Sequence, residues 1–230
     1  MSKTVIQKSD ALTTQKLFGY PEHSIAYEMI RRYDHPWDAI PHISEFIAEL
    51  VSKLSPDEYR LIGSNVWISK DACVSPTAYI NGPCIICAGA EIRHCAFIRG
   101  NAIVGSGAVV GNSVELKNCI LFDSVQVPHF NYVGDSILGY KSHMGAGAIT
   151  SNVKSDKSLV TVNFNNEKIK SGLKKFGAIL GDHVEIGCNS VLNPGTVIGC
   201  GSNVYPLSSV RGYVPENSIY KSREEVIKKN

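Results

Sequence analysis

An aliphatic side chain recurs at every sixth position through Ile62, Ile68, Val74, Ile80, Ile86, Ile92, Ile98, Val104, Val110 and Leu116. Four residues after most of these comes a small one, at Ala72, Ala78, Cys84, Ala90, Ala96, Ala102 and Ala108. After an interruption the pattern resumes at Leu180, Ile186, Leu192, Ile198, Val204 and Val210, with Ser190, Thr196, Ser202 and Ser208 in the small position. A period of six fits neither an amphipathic helix nor an alternating strand meander. It fits a coil of three short strands, about 18 residues per turn, whose aliphatic residues point into a triangular prism while the small ones permit sharp corners. The expected fold is therefore all-β, a left-handed parallel β-helix of hexapeptide repeats, with coils stacked at the roughly 4.8 Å spacing of paired strands.

Outside the prism the pattern changes period. "ISEFIAELVSKL" places Ile43, Phe46, Ile47, Leu50, Val51 and Leu54 at helical spacing. "SPDE" at 55–58 reads as an N-cap serine, an N1 proline and a capping-box glutamate. Residues 1–58 are thus expected to form an N-terminal helical segment that caps or flanks the first coil. The β-helix is expected over 59–213. "SLVTVNFNNEKIKSG" reads as strand, Asn-Asn turn and strand, so a hairpin insertion leaves the prism near 151 and returns by 177. The tail 214–230, with "KSREEVIKKN", reads as a short charged helix.

Composition narrows the function. With 23 basic and 21 acidic side chains, the net charge of +2 gives no footprint for nucleic acid or a membrane surface, so any bound anion must be recognised locally. No apolar run is long enough to span a bilayer, and "MSKTVIQKSD" lacks a signal-peptide core, which points to the cytoplasm. Seven cysteines, an odd number, argue for reduced thiols rather than a disulfide framework. "CIIC" at 84–87 has no second pair to complete a zinc site and reads as small strand residues.

Coil register brings candidate chemistry together. Residues 18 apart stack, so Arg99 lies under Lys117, a column suited to holding a phosphate between two cations. The ladder shortens by one residue between Leu116 and Leu121, which puts Tyr132 over Glu115 and brings His129, three residues earlier, within reach of the Glu115 carboxylate. An imidazole so oriented, followed by the glycine-rich corner "GAG" at 145–147, is a candidate general base. Backbone N–H groups at that corner are candidate oxyanion donors.

"RGNAIVGSGAVVGNSVELKN", "HFNYVGD" and "GAGAITSN" resemble the acetyltransferase domain of the bifunctional glucosamine-1-phosphate acetyltransferase/N-acetylglucosamine-1-phosphate uridyltransferase family. "SLVTVNFNNEKIKSGLKKFGAILGD" is closer to archaeal-type sugar-1-phosphate nucleotidylyltransferases that carry such a domain. The resemblance covers roughly residues 60–212. It implies transfer of an acetyl group from acetyl-CoA to the amine of a hexosamine 1-phosphate, without a metal or a covalent acyl-enzyme. It implies His129 as base and Glu115 as its orienting carboxylate, with Arg99, Lys117 and Tyr132 on the sugar phosphate and Asn152 near the acyl group. The backbone at Ala146 and Gly147 would meet the thioester and pantetheine arm. A further substrate lysine maps to Lys157, or to Lys154. Cys188, in a corner, is expected to face the coenzyme, and Lys174 and Lys175 beside the hairpin its phosphates. A homotrimer with clefts between subunits is also implied. The chain departs from the family in having His143 where an asparagine stands before "GAG". The residues before the coils contain no glycine-rich nucleotide loop, so nucleotidyl transfer is not expected.

Two other classes compete. A non-catalytic sugar-phosphate-binding scaffold or regulatory trimer would keep the pocket without turnover. A zinc-dependent prism enzyme would need histidines converging from adjacent subunits, drawn from His94, His129, His143 and His183.

Overall fold

The structure, a computed structural model, describes residues 10–229; the segment 1–9, most of the stretch in which the sequence shows no apolar leader, lies outside the described residues. Stacked parallel coils form a three-faced prism, as the six-residue period requires. The first face carries Val66–Ser69, Cys84–Ile86, Ala102–Val104, Ala178–Leu180, Thr196–Ile198 and Tyr213–Val214. The second carries Cys73–Val74, Glu91–Ile92, Val109–Asn112, Gln126–His129, His143–Met144, Glu185–Ile186, Asn203–Val204 and Ser218–Tyr220. The third carries Tyr79–Ile80, Phe97–Ile98, Ile149–Thr150, Val191–Leu192 and Ser209–Val210. Glu115–Leu121 and Tyr132–Leu138 run unbroken across the corner from the third face to the first and join them in one 14-stranded sheet.

The ladder residues fill the prism: Ile86, Val104, Leu121 and Leu138 on the first face, Ile92, Val110 and Val127 on the second, Ile98, Leu116 and Val133 on the third, all essentially without exposure. Ile62 does not belong to them. It lies in Tyr59–Ile62, an antiparallel strand on Val66–Ser69, and is 45% exposed, so the ladder starts at Ile68. The shortened coil is real: Glu115 pairs with Tyr132 and Cys119 with Ala102, a step of 17 residues. Asn118 and Asp135 take positive φ, 51° and 49°, at the tightened corner, a conformation that asparagine and aspartate tolerate better than most residues.

The N-terminal segment is helical, but it does not cap the first coil. The helix Ile43–Val51 lies over the first face, where Ile43, Phe46, Ile47 and Leu50 bury against the outward side of the coils of Cys84–Ile86, Ala102–Val104 and Cys119–Leu121. Farther along, Asp182 accepts from Gly19 N–H (2.7 Å), and Lys16 pairs with Glu216 of the last coil (2.9 Å). The segment is a strap along the whole prism. The reason is an apolar outward column, Ile85, Ile103, Ile120, Ile137, Ile179 and Val197, each fully buried and each needing cover. Burying an isoleucine side chain contributes on the order of 2 kcal/mol, so the column holds the strap in place.

"SPDE" forms a turn and not a helix start. Ser55 Oγ accepts from Asp57 N–H, Ser55 C=O accepts from Tyr59 N–H, and the chain enters the strand Tyr59–Ile62. The tail differs as well: Val226–Lys228 is a strand antiparallel to Ser218–Tyr220. A ten-residue helix has little stability alone, whereas the last coil offers an unpaired edge that Val226 and Ile227 can join. Thr161–Phe164 and Glu167–Lys170 pair as an antiparallel hairpin, with Asn165 and Asn166 at positive φ. Val160, Val162 and Phe164 lie buried against this chain's own coils, Phe164 at 5.1 Å from Tyr213.

Candidate functional site

On the third face and its corner with the first, the structure gathers Arg99, Glu115, Lys117, Tyr132 and Asn152 around a residue the sequence reading passed over, Asp135. This carboxylate is buried and accepts from Lys117 Nζ (2.8 and 3.1 Å), Asn118 Nδ2 (2.9 Å) and Asn152 Nδ2 (2.5 Å). Asn152 Nδ2 also reaches the Tyr132 hydroxyl at 3.2 Å. Asn118, Asp135 and Asn152 stand one coil apart, 17 residues each, which the shortened ladder could have revealed. The corner is enclosed from above: Asn118 Nδ2 touches Ile40 C=O (3.3 Å), and Phe176 N–H donates to Asn152 C=O where the hairpin returns. Burial raises the Tyr132 pKa, with Asp135 and Glu115 adding to the effect, so its hydroxyl stays neutral and able to donate at physiological pH.

The expected phosphate clamp takes a different form. Arg99 donates to Glu115 at 2.7 Å, and Lys117 is committed to Asp135, so each cation of the column has a carboxylate partner. Like charges stacked at strand spacing repel, and an intervening acid relieves this. Glu115 consequently does not orient His129 in this chain; Arg99 holds it. The Arg99 pair is about half exposed, whereas the side chain of Asp135 is 4% exposed. Water screens the first pair more than the second, so Arg99 is the cation freer to exchange partners.

His129 stands exposed at the opposite edge of the third face, where the second face ends. Its ring has no hydrogen bond among the described residues. Its main chain is fixed: His129 N–H donates to Asn131 Oδ1 (3.1 Å), and His129 C=O accepts from Gly147 N–H (3.0 Å). Asn131, buried, donates in turn to Gly145 and Ala148 C=O, which ties the two coils together. At the "GAG" corner, Gly145, Gly147 and Ala148 N–H are used by Ile186, His129 and Gly145 C=O. Among the described residues that leaves Ala146 N–H as the open donor of the corner, beside the histidine. Gly147 has φ +73°, and a Cβ there would lie 2.1 Å from Asn189 Oδ1, so the position requires glycine. Cys188 lies exposed over Ala146: Asn189 N–H donates to Ala146 C=O at 2.9 Å.

Other expected contacts do not form within the chain. Lys157 is exposed in the loop before the hairpin, and Lys154 bonds Ser158 at 2.5 Å. Lys174 and Lys175 are exposed where the hairpin rejoins the Asn152 corner, across the third face from Ala146 and Cys188. Among His94, His129, His143 and His183, a carboxylate contacts His143, whose Nδ1 is 2.7 Å from Glu185 Oε2. It borders a cavity of about 550 Å³ shared with Ser124, Gln126, Lys141 and His183. A larger cavity of about 820 Å³ opens at the N-terminal mouth of the prism and meets the cluster only at Arg99. His94 and His183 are engaged elsewhere, with Thr77 and with Tyr20 and Tyr140, and no metal-binding group of three forms among the described residues. Cys84, in a strand, and Cys87, just after its end, are both buried, and burial pushes the Cys87 thiol up to about 12.

The Bifunctional protein GlmU of Methanococcus maripaludis is 36% identical over 198 residues, 85% of this chain and 48% of that protein. The Bifunctional sugar-1-phosphate nucleotidylyltransferase/acetyltransferase of Sulfurisphaera tokodaii is 34% identical over 160 residues, 70% of this chain and 40% of that protein. The chain thus spans about half the length or less of these curated relatives. Among solved structures, a mutant of AntD, an N-acyltransferase from Bacillus cereus in complex with dTDP and coenzyme A, aligns at TM-score 0.36 and 23% identity, covering 72% of this chain and 81% of that one. Among the described residues no helix is long and apolar enough to cross a membrane. The family model described as the GMPPB C-terminal domain matches residues 80–200, more than half of the sequence and all of the site's coils up to the return of the hairpin, and the chain belongs to that family.

Proposed function

We propose that the chain transfers an acetyl group from acetyl-CoA to the amine of an amino-sugar phosphate of the glucosamine or galactosamine 1-phosphate type. The observation that carries this reading is the pairing of a free imidazole with an open backbone donor on one edge. His129 and Ala146 N–H sit on adjacent coils locked by the Gly147 N–H to His129 C=O bond. A base and an oxyanion donor one coil apart are what attack of an amine on a thioester needs. The names of the relatives, which include a sugar-1-phosphate enzyme with acetyltransferase activity, favour the same substrate class.

In the proposed reaction the sugar phosphate draws Arg99 away from Glu115, while Lys117 stays on Asp135 and keeps the corner rigid. Tyr132 and Asn152 line the sugar between the two edges. Glu115, once released, is available to the imidazolium that forms as His129 takes the amine proton. The proton passes to the departing CoA thiolate, and no acyl-enzyme intervenes. Lys157 or Lys154, and Lys174 and Lys175, serve substrate or CoA phosphates from a neighbouring subunit of a homotrimer. Exposed Tyr79, Phe97, Phe130 and Leu207 along the third face and its His129 edge support such a contact surface.

A second reading makes His143 the base, because among the candidate histidines of the coils it has a carboxylate on Nδ1. Release of CoA thiol from acetyl-CoA, with glucosamine 1-phosphate or galactosamine 1-phosphate as acceptor, separates the possibilities. The first reading expects His129→Ala to lower turnover by about 10² to 10⁴, the range of general base catalysis, and His143→Ala to leave most of it. The reverse result moves the base to His143. Binding of either sugar phosphate without thiol release, in the parent chain, replaces the enzyme with a scaffold.

A further inference from the structure

The II–III edge of the prism, where the second face turns into the third, carries a second set of reactive groups. Coil register places His94 under Asn112 and Asn112 under His129, so His94 lies two coils from the proposed base, roughly 10 Å at strand spacing. Beside it is Cys95, exposed and at φ 57°. Cys95 Sγ is 3.2 Å from His94 Nε2, and His94 Nδ1 is 2.7 Å from Thr77 Oγ1.

The hydroxyl accommodates the tautomer that an activated thiol requires. Thr77 Oγ1 already accepts from Cys95 N–H (3.3 Å) and lies 2.9 Å from Ser75 Oγ. With Thr77 donating its hydrogen to Ser75, its remaining lone pair accepts from Nδ1–H of His94. The lone pair of Nε2 then faces the thiol. Nucleophile, base and orienting group are all within hydrogen-bond reach, which is the arrangement that activates a cysteine. The other thiols differ. Cys84, Cys87 and Cys119 are buried, and Cys200 is tied to Leu17 C=O at 3.2 Å. Cys73 and Cys188 are exposed, without an imidazole contact among the described residues.

We propose that Cys95 is a nucleophilic thiol activated by His94, and that it is a site of mixed-disulfide formation with small disulfides of the glutathione type. The thiol proton passes to His94 Nε2 and the thiolate attacks one sulfur of the disulfide. The small disulfide's S–S bond breaks as the new one forms, and the departing thiolate takes the proton from His94. One disulfide is consumed and one is made. None of its groups is among those proposed above for acetyl transfer.

The test uses the full chain, reduced, with glutathione disulfide and in parallel with iodoacetamide at about pH 7.4, each thiol being followed by peptide mass spectrometry. A free thiol is only a few per cent thiolate near neutral pH, so activation leaves room for at least a roughly tenfold faster reaction at Cys95 than at Cys73 or Cys188. His94→Gln is expected to reduce Cys95 to the rate of those two internal controls, and Thr77→Val to an intermediate rate. Equal rates at the three exposed thiols, or a Cys95 rate untouched by His94→Gln, overturn the proposal.

Discussion

Replacing Asp135 with asparagine probes the hub on which the proposed sugar site stands. The change keeps the side-chain shape and suits the positive φ of 49°, so backbone strain is not the variable. What it removes is the charge that holds Lys117 Nζ at 2.8 Å, and it turns an amide N–H₂ toward Asn118 or Asn152, both of which already donate there. Removing one partner of a buried ion pair costs about 3–5 kcal/mol. Lys117 keeps a quarter of its side-chain exposure, so the lower end applies, about 3 kcal/mol. For a chain of this size that lowers Tm by roughly 6–12 °C. Urea unfolding followed by circular dichroism at fixed protein concentration measures it. Lys117→Met in the same background removes the stranded ammonium and is expected to restore at least about 1 kcal/mol. A loss under about 1 kcal/mol in Asp135→Asn, or a double variant whose loss equals the sum of the single ones, would refute the hub.

Gly147→Ala places a Cβ 2.1 Å from Asn189 Oδ1 at φ +73° and is expected to cost about 1–3 kcal/mol, partly relieved in Gly147→Ala/Asn189→Ala; an unchanged urea midpoint would remove glycine from the corner's requirements. Ile120→Ala, on the outward column beneath the strap, is expected to lose about 2–5 kcal/mol although its side chain points out of the prism; a surface-like loss near zero would mean that the strap does not pack there. Burial raises the Asp38 carboxyl above its usual range, so the folded state binds its proton more tightly than the unfolded state does and stability falls as pH rises through that window. Asp38→Asn should therefore stabilise the chain at about pH 7 and make little difference at about pH 3, where the carboxyl is protonated in both states. A stabilisation larger in acid than at neutral pH contradicts the sign.

The six-residue ladder determined the prism, its three faces and the step of 17 that sets Tyr132 on Glu115, because a stacked coil leaves an aliphatic residue one direction in which to hide. The same arithmetic contained the Asn118, Asp135 and Asn152 column and the outward isoleucines, for a strand with "CII", "AIV" or "CIL" has no polar side to give to water. Tertiary structure alone decided the partners of the charged groups. Register alone left Glu115 open to either Arg99 or His129, and the arginine takes it at 2.7 Å, since opposite charges in contact attract. It also decided that the strap runs lengthwise and that the tail is a strand, outcomes set by which apolar column and which open edge remained to be covered once the coils had formed.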